Sequence, residues 1–450
     1  MRLARDFIPL QIMIRLRRVL LGGLIIFAFG ARLGAAEPIA LTLEQALAST
    51  EGVNLSVLLS RETAAQTIEF ANQTRVGILP NVALSAQQRR TDSVTITGSV
   101  PQSGLVGNRF DGLVTGNYNL LNAQLISAVR SAKAGVAIAD ADYRATLQLV
   151  LASVAQSYFT HLRNLRRLTV LDANIVRART LLELAQNQLS AGVVTRIDVT
   201  RAEGQLELAV QARLQQETVD YQSELALKRL LDLDPVRPLQ LADFAVQRTD
   251  PSKLGVGADQ SVFEQRADWL RAQKAVEQAK IDVRTAQFER LPSLALAGQY
   301  GETAAKFDDS NKKQEWFFGG AINFPIFDGL RAGADKRAAQ SRQRSQELRL
   351  HNLELQISSE LLLARQDASS RNQQIAVADT NLKLAREQLT LAQERYRQGV
   401  ADNREVVEAQ TSLAVADDNY VEAVFFYNLS RVELARAKGE VRTVLAEKAP

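Results

Sequence analysis

Apolar side chains recur every seven residues along two long stretches of this 450-residue chain. The first row is Leu168, Ile175, Leu182 and Leu189, and the second is Ile375, Leu382, Leu389 and Tyr396. Three positions after each member stands a small or apolar residue, most often alanine. A seven-residue period predicts long helices that pack against each other as coiled coils, and small residues beside the row allow their backbones to approach closely.

Proline and glycine mark where the helical stretches end. Residues 102–234 and 326–449 contain no proline, and Gly192 and Gly399 end runs that also lack glycine. The two glycines are 207 positions apart, and the apolar residues around them match at the same offset. The chain is therefore predicted to be an internal two-fold repeat, in which each copy contains an antiparallel helical hairpin that turns at its glycine.

A second repeated pattern has a period of two. It follows the Leu-Pro pairs that contain Pro80 and Pro292, where each proline ends a helix and marks a helix-to-strand junction. Apolar and polar residues then alternate, which predicts four strands of about ten residues that each have one apolar face. The strands are expected at 82–86, 110–120, 294–300 and 318–326, with polar loops at 91–108 and 301–315.

These boundaries give the predicted organisation of the chain. The helices are expected at Leu43–Leu79, Asn122–Ala191, Arg196–Leu233, Gln260–Leu291, Gly329–Gln398 and Asn403–Lys438. Two short helices lying end to end match the length of one long helix, so each pair is expected to run beside a long one. The domains are repeat 1 at 37–233 (β-hairpin 81–121, helical hairpin 122–233), a linker at 234–258, repeat 2 at 259–440 (β-hairpin 293–327, helical hairpin 329–438) and a tail at 441–450.

Four strands with an apolar face cannot close a barrel by themselves. Their edges would leave backbone N–H and C=O groups unpaired, which is costly in a membrane because lipid offers no hydrogen-bond partners. Three chains would supply twelve strands, whereas the eight strands of two chains usually close too narrow a barrel for a large solute. The predicted fold class is therefore mainly α with a membrane β part. Long antiparallel coiled-coil hairpins would form a trimeric α-barrel continuous with a 12-stranded β-barrel.

Positive charge is concentrated at the N-terminus. Residues 1–36 contain six arginines and a single acid, a formal charge of +5 that exceeds the +4 of the whole chain. The remaining residues sum to −1 and offer no broad basic surface, so nucleic acid is not expected as a partner. The order of segments predicts that 1–36 is a signal peptide for export: arginines come first, then the apolar run Val19–Phe29, then small residues at 34–36. Translation would start at Met1 or Met13.

Residue types that support catalysis or metal binding are scarce. The chain has no cysteine, and its two histidines, His161 and His351, are 190 positions apart. The sequence contains no glycine-rich phosphate loop, catalytic triad order or cluster of histidines and carboxylates. We therefore expect neither an enzyme, nor a cofactor, nor a metal site. Trp316, beside two phenylalanines at the start of a strand, suits the aromatic girdle of a membrane barrel.

The ordered repeats resemble the TolC family of bacterial outer-membrane efflux proteins (outer membrane factors), from Leu41 to about Gly439. The similar features are the Leu-Thr-Leu-Glu-Gln-Ala-Leu start at 41–47, the two Leu-Pro junctions, and the hairpin turns at 189–199 and 396–406. The resemblance implies a homotrimeric channel of a Gram-negative-type bacterium. Its β-barrel would lie in outer membrane lipid and its α-barrel would extend into the periplasm, with 234–258 as the family's equatorial linker.

The resemblance further implies a passive export duct of a tripartite efflux or secretion system. The duct would dock with a periplasmic adaptor (membrane fusion) protein and an inner-membrane pump of the RND, MFS or ABC type. The family's pattern places the hairpin tips, where the adaptor would dock, at Gly192, Val193, Gly399 and Val400. It places an acidic ring at the pore entrance at Asp198, Glu405 and Glu408, and a tyrosine that joins contacts between hairpins at Tyr396. Ala401 stands where a family member can have an arginine that helps to lock the entrance.

Capping of helix starts is an alternative role for two of these acids. Thr195 with Asp198, and Asp402 with Glu405, also fit the capping box, in which the third helical residue reaches back to the residue before the helix. Glu408 lies too far into its helix to cap, and its alternative role is that of a solvated surface acid.

A second functional hypothesis is a periplasmic coiled-coil scaffold or adaptor protein without a membrane barrel. Such a protein would not need four strands with apolar faces. Membrane fractionation separates the two hypotheses, because high salt releases a scaffold from the membrane and does not release a barrel.

Overall fold

The computed structural model describes residues 38–97, 100–242 and 260–442. Within these ranges the helices are α1 (Leu43–Val53), α2 (Leu55–Val76), α3 (Ala123–Ser190), α4 (Arg196–Leu230), α5 (Gln260–Gln265), α6 (Ala267–Phe288), α7 (Arg331–Arg397) and α8 (Asn403–Lys438). The predicted signal peptide lies outside the described residues, as do most of the predicted linker and tail. No helix of the described ranges is long and apolar enough to cross a membrane.

Two long helices organise the fold. Helices α3 and α7 have 68 and 67 residues, which corresponds to about 100 Å each. Helices α2 and α4 both pack along α3, and α6 and α8 both pack along α7, while α3 also contacts α6 and α8. The prediction that shorter helices lie end to end beside each long one is confirmed. The element order of the first half recurs in the second.

The prediction of unbroken helices at 43–79 and 260–291 is wrong at two positions. Asn54 and Arg266 have extended ψ angles of 121° and 118°, so each separates a short helix from the longer one that follows. Asn54 Nδ2 donates to the Leu230 carbonyl at 2.8 Å, and Arg266 Nη1 donates to the Ala437 carbonyl at 3.2 Å. Both breaks therefore join the helix start to the last turn of a neighbouring hairpin helix.

A two-stranded parallel sheet lies beside the first break. Strand β1 (Ile39–Leu41) pairs with β4 (Leu239–Leu241), which belongs to the segment predicted as a linker. Tyr158 Oη donates to the Ala242 carbonyl at 2.7 Å, which fixes the end of β4 on α3. The sequence pattern did not predict this sheet. We call the region around β1, β4, Asn54 and Arg266 the equator.

The larger sheet contains the four predicted strands in the order β2 (Asn81–Thr97), β3 (Val100–Leu121), β5 (Ser293–Ala304) and β6 (Lys313–Asn323), all antiparallel. Pro80 and Pro292 immediately precede β2 and β5, as predicted for helix-to-strand junctions. The register aligns a row of exposed apolar side chains across one face, namely Leu84, Val114, Tyr300 and Trp316. The opposite face includes a row containing Asn81 and Asn117 and a row containing Thr115 and Gln299. The sheet is therefore apolar on one face and predominantly polar on the other.

The first β-hairpin is longer than predicted. Backbone pairing continues through Thr91 opposite Gly107 and on to Thr97 opposite Val100, so the predicted loop at 91–108 is wrong. This extension lies beyond the point where β5 ends opposite Phe110, so there β2 and β3 pair only with each other. Strand β6 stops at Asn323, short of the predicted 326, where Pro325 offers no backbone N–H to continue the ladder.

Candidate functional site at the ends of the helical hairpins

The two hairpin turns have the same backbone geometry. Gly192 and Gly399 have φ angles of +73° and +71°, a conformation that glycine adopts without the steric cost of a Cβ atom. The Val193 N–H donates to the Gln188 carbonyl at 2.9 Å, and the Val400 N–H donates to the Arg395 carbonyl at 3.0 Å. These bonds close a Schellman motif at each helix end, which is why both long helices stop here.

Asp198 caps the start of α4. Its Oδ2 accepts hydrogen bonds from the Thr195 N–H at 3.1 Å and from Thr195 Oγ1 at 2.8 Å. The carboxylate also lies 3.4 Å from Arg201 Nη1 in the next turn. The capping role predicted as an alternative for Asp198 is therefore confirmed, and this acid is engaged within its own helix.

Glu405 and Glu408 each pair with an arginine of the same hairpin. Glu405 Oε1 accepts from Arg395 Nη1 across the turn at 2.8 Å, and Glu408 Oε1 accepts from Arg404 Nε at 2.8 Å. The capping prediction is wrong for the Glu405 carboxylate, because the Asp402 side chain alone caps α8 by accepting the Glu405 N–H at 3.2 Å. The second hairpin thus ends in two solvent-accessible ion pairs.

A buried asparagine joins the two hairpins. Asn403 Nδ2, at the start of α8, donates to the backbone carbonyl of Asp198 on α4 at 2.9 Å. Gln188 Nε2 reaches the Tyr396 carbonyl at 3.5 Å, so α3 and α7 are also in contact here. These bonds bring together Asp198 and the start of α8, which lie 205 positions apart in the chain.

Tyr396 is the largest side chain in this contact and is 2% exposed. Among the described residues, its Oη atom has no hydrogen-bond partner. Burial raises the pKa of Tyr396, and the negative charge of Asp198 raises it further. Tyr396 is a member of the buried apolar cluster to which both hairpins contribute, and its ring makes the contacts there.

Small residues let the two hairpins pack closely around Tyr396. The apolar cluster of this region consists of Leu181, Ala185, Val199, Ala202, Leu382, Ala385, Leu389, Ala392, Tyr396, Val406, Ala409, Leu413 and Ala416. Val193 and Val400 protrude from the turns and are 62% and 67% exposed. We call residues 185–202 and 392–409 the tip.

Sequence reasoning missed Arg395, Asn403 and Gln188. Arg395 and Gln188 occupy equivalent positions of the two repeats, 207 apart, as do Glu405 and Asp198. A repeat alignment shows a charged residue at 395 where the first repeat has the neutral Gln188, but it does not show that Arg395 faces Glu405 across the turn. Asn403 gives no such signal, because its equivalent in the first repeat is Arg196 and only the fold shows that Asn403 is buried.

Comparisons with known proteins agree with this architecture. The model of the family described as outer membrane efflux protein matches residues 44–232 and 260–440. Nodulation protein T of Rhizobium leguminosarum bv. trifolii is 24% identical over 360 residues, which cover 76% of each chain. Outer membrane protein OprJ of Pseudomonas aeruginosa is 26% identical over 402 residues, covering 85% of this chain and 80% of OprJ. The CmeC outer membrane channel of Campylobacter jejuni has the same fold, with a TM-score of 0.79, 19% identity, and coverage of 88% of this chain and 85% of CmeC.

The chain therefore has the fold of an outer membrane channel. The chain belongs to the outer membrane efflux protein family, since the family model covers most of both repeats. The resemblance to this family, the function as an efflux channel and the outer-membrane location are confirmed. The alternative of a periplasmic scaffold is not supported. Family membership indicates a role in transport.

Proposed function

We propose that three copies of this chain form a closed, passive export duct through the outer membrane and the periplasm. The observation on which this proposal depends is the four-stranded sheet. Within the described residues, the outer edges of β2 and β6 pair with no further strand, although the sheet has one apolar face. Further copies of the same sheet would satisfy both edges, and three copies give the twelve strands of a barrel wall.

The outer surface of α7 supports the same assembly. Six apolar side chains, spaced mostly by seven residues, are more than half exposed and lie away from the row that packs on α8. They are Leu348, Leu355, Leu362, Val377, Leu384 and Leu391. A sustained apolar row without a helix beside it is typical of a coiled-coil seam, and a helix of a second copy would cover it.

The tip would form the periplasmic entrance and the docking surface. Exposed Val193 and Val400 offer two apolar knobs per chain to the hairpins of a periplasmic adaptor, which would connect the duct to an inner-membrane pump. Asp198, Glu405 and Glu408 would give nine carboxylates around the entrance of a trimer. Because each lies beside an arginine of its own hairpin, these pairs would persist when the hairpins separate.

Planar bilayer recording tests the proposal. Wild-type protein is expected to form ion-conducting pores, and E405Q/E408Q is expected to shift the reversal potential towards anions, since Arg395 and Arg404 lose their partners. The matched control is E217Q, which neutralises an acid paired with Arg213 on α4, outside the tip. Absence of conductance would contradict the proposed duct. Equal reversal potentials in wild type and E405Q/E408Q would contradict the proposed entrance.

Membrane fractionation tests the location of the assembled protein independently. We expect the protein to stay with the outer membrane through a high-salt wash. Release by salt alone would favour the scaffold instead.

A further inference from the structure

A cavity interrupts the packing between the equator and the tip. Its volume is about 610 Å³, within the range typical of small-molecule sites. Helices α3, α7 and α8 of one chain form its walls, with Phe159 of the equatorial core at one end and Leu382 of the tip cluster at the other. The cavity therefore separates two well-packed regions and needs no second chain to form it.

Cations outnumber acids around this cavity. Among the described residues that line it are Arg163, Arg166, Arg177 and Arg386, against the single carboxylate of Asp417. Arg163 also pairs with Glu422, outside the lining, at 3.5 Å. Arg177 Nη2 and Arg386 Nη2 share that carboxylate, at 3.4 and 3.5 Å from its two oxygens. Burial lowers the pKa of Arg177, and Arg386 lowers it further while Asp417 opposes the change. One carboxylate thus serves two guanidinium groups, and an added anion would be stabilised between them.

The opposite end of the cavity combines an aromatic and aliphatic wall with the Arg163 guanidinium and the Asn428 amide. Arg163 lies over the Phe425 ring, with its guanidinium carbon 4.5 Å from the ring centroid, and aliphatic side chains complete the wall. Asn428 is 3% exposed and lines the cavity. In the part of the chain that the structure describes, its Oδ1 has no hydrogen-bond donor. A buried amide oxygen without a donor is costly, so a ligand hydroxyl or N–H would be stabilised there.

We propose that this cavity binds an elongated amphipathic organic anion. Its acidic group would lie between Arg177 and Arg386, its apolar chain along Phe425, and a hydroxyl or N–H at its far end would donate to Asn428. Asp417 and Asn428 are eleven residues apart on α8, which is about 16 Å along the helix axis. A ligand that contacts both groups must span about this distance, which a bare inorganic anion does not.

Binding of ¹³C-carboxyl 12-hydroxydodecanoate to the full-length protein in nonionic detergent tests the proposal, with empty micelles as the blank. The carboxyl resonance is expected to shift saturably with protein. The uncharged 1,12-dodecanediol, used as a competitor, is expected to displace the probe at least tenfold less well than unlabelled 12-hydroxydodecanoate. Dodecanoate is expected to compete less well than the hydroxy acid, because it lacks the donor for Asn428.

Two substitutions give effects of opposite sign. R386Q is expected to weaken binding about tenfold, because it removes a charged hydrogen-bond donor to the acidic group of the ligand. The effect is limited to this size because the Arg386 side chain is largely solvent-exposed. D417N is expected to strengthen binding severalfold, because the competing carboxylate is removed. R213Q, which removes an arginine paired with Asp172 outside the cavity, is the control and is expected to match wild type.

Three results would overturn the proposal: absence of saturable binding, equal affinity of R386Q and R213Q, or displacement by the diol as effective as by the hydroxy acid. The diol comparison uses wild-type protein alone, so it remains decisive even where a variant fails to fold. Because the cavity lies within one chain, its ligand binding is tested independently of trimer formation and of conductance.

Discussion

The equator and the tip join helices in different ways. At the equator, Arg266 is 6% exposed, and its guanidinium bonds to Asp268 at 2.7 Å, to Glu360 at 3.0 Å and to the Ala437 carbonyl. At the tip, the ion pairs are solvent-accessible and stay within one hairpin, and a single asparagine bond joins α8 to α4. Disrupting the equator would leave the buried Arg266 guanidinium without its carboxylate partners. Separating the hairpins at the tip would break few polar bonds. The difference predicts a fixed equator and a tip that depends mainly on apolar packing, with few polar bonds to break when the hairpins separate.

Removing the buried cation of the equator should have the largest effect. R266M leaves the Asp268 and Glu360 carboxylates without their shared partner, which we expect to cost about 3 to 5 kcal/mol of unfolding free energy. Chemical denaturation followed by circular dichroism measures this. The control is R271M, which removes an exposed arginine paired with Asp142 and should change stability by less than about 1 kcal/mol. Equal effects of the two substitutions would contradict a fixed equator.

Asn54→Ala should have the next largest effect. The Asn54 side chain caps α2 through the Ser56 and Val57 N–H groups and also bonds to Leu230. We expect a loss of about 1 to 2 kcal/mol, measured in the same denaturation experiment. Asn54→Asp, which keeps the cap and loses the bond to Leu230, should recover part of this loss.

Asn403→Ala is the matched substitution at the tip. Its Nδ2 bond to the Asp198 carbonyl is lost, but its Oδ1 has no donor within the described residues, so removing it offsets part of the cost. We expect a stability loss of less than about 1 kcal/mol, together with a wider distribution of distances between spin labels on α4 and α8 at the tip. A distribution as narrow as that of wild type would show that this bond does not hold the hairpins together.

Tyr396→Phe should have the smallest effect at neutral pH, because the hydroxyl has no partner among the described residues. The raised pKa of Tyr396 means that the unfolded chain ionises first. Its contribution to stability is present below the ordinary value of 10.0 and is lost as the pH rises through the folded-state value. Wild type should therefore lose more stability than Y396F when the pH is raised above 10. Parallel pH profiles would show that the ring is not held in its neutral form.

Repeating patterns predicted the fold well because they report burial along whole elements. The heptad row from Leu168 to Leu189 and its copy from Ile375 predicted α3 and α7, and alternation predicted the strands. The breaks at Asn54 and Arg266 have no such pattern, since both residue types also occur inside helices. Strand β4 has three residues and pairs with β1 about 200 positions away, so only the fold reveals it.

The candidate site was predicted in part. Gly192 and Gly399 were identifiable because a positive φ angle favours glycine at a helix end, and the capping spacing identified Asp198. The arginines that pair with the acids could not be identified from the sequence, because Arg395 and Arg404 are indistinguishable there from solvated helix residues. Whether a carboxylate is paired depends on side-chain geometry across the turn, which spacing alone does not specify.

Native mass spectrometry of the protein extracted from outer membranes in nonionic detergent tests most directly whether one chain is a third of a closed duct. We expect a single assembly with three times the mass of the mature chain. This assembly should persist at protein concentrations at which detergent-soluble contaminants are monomeric. A stable species containing one or two chains, with circular dichroism showing that its strands are formed, would contradict a barrel completed by three sheets.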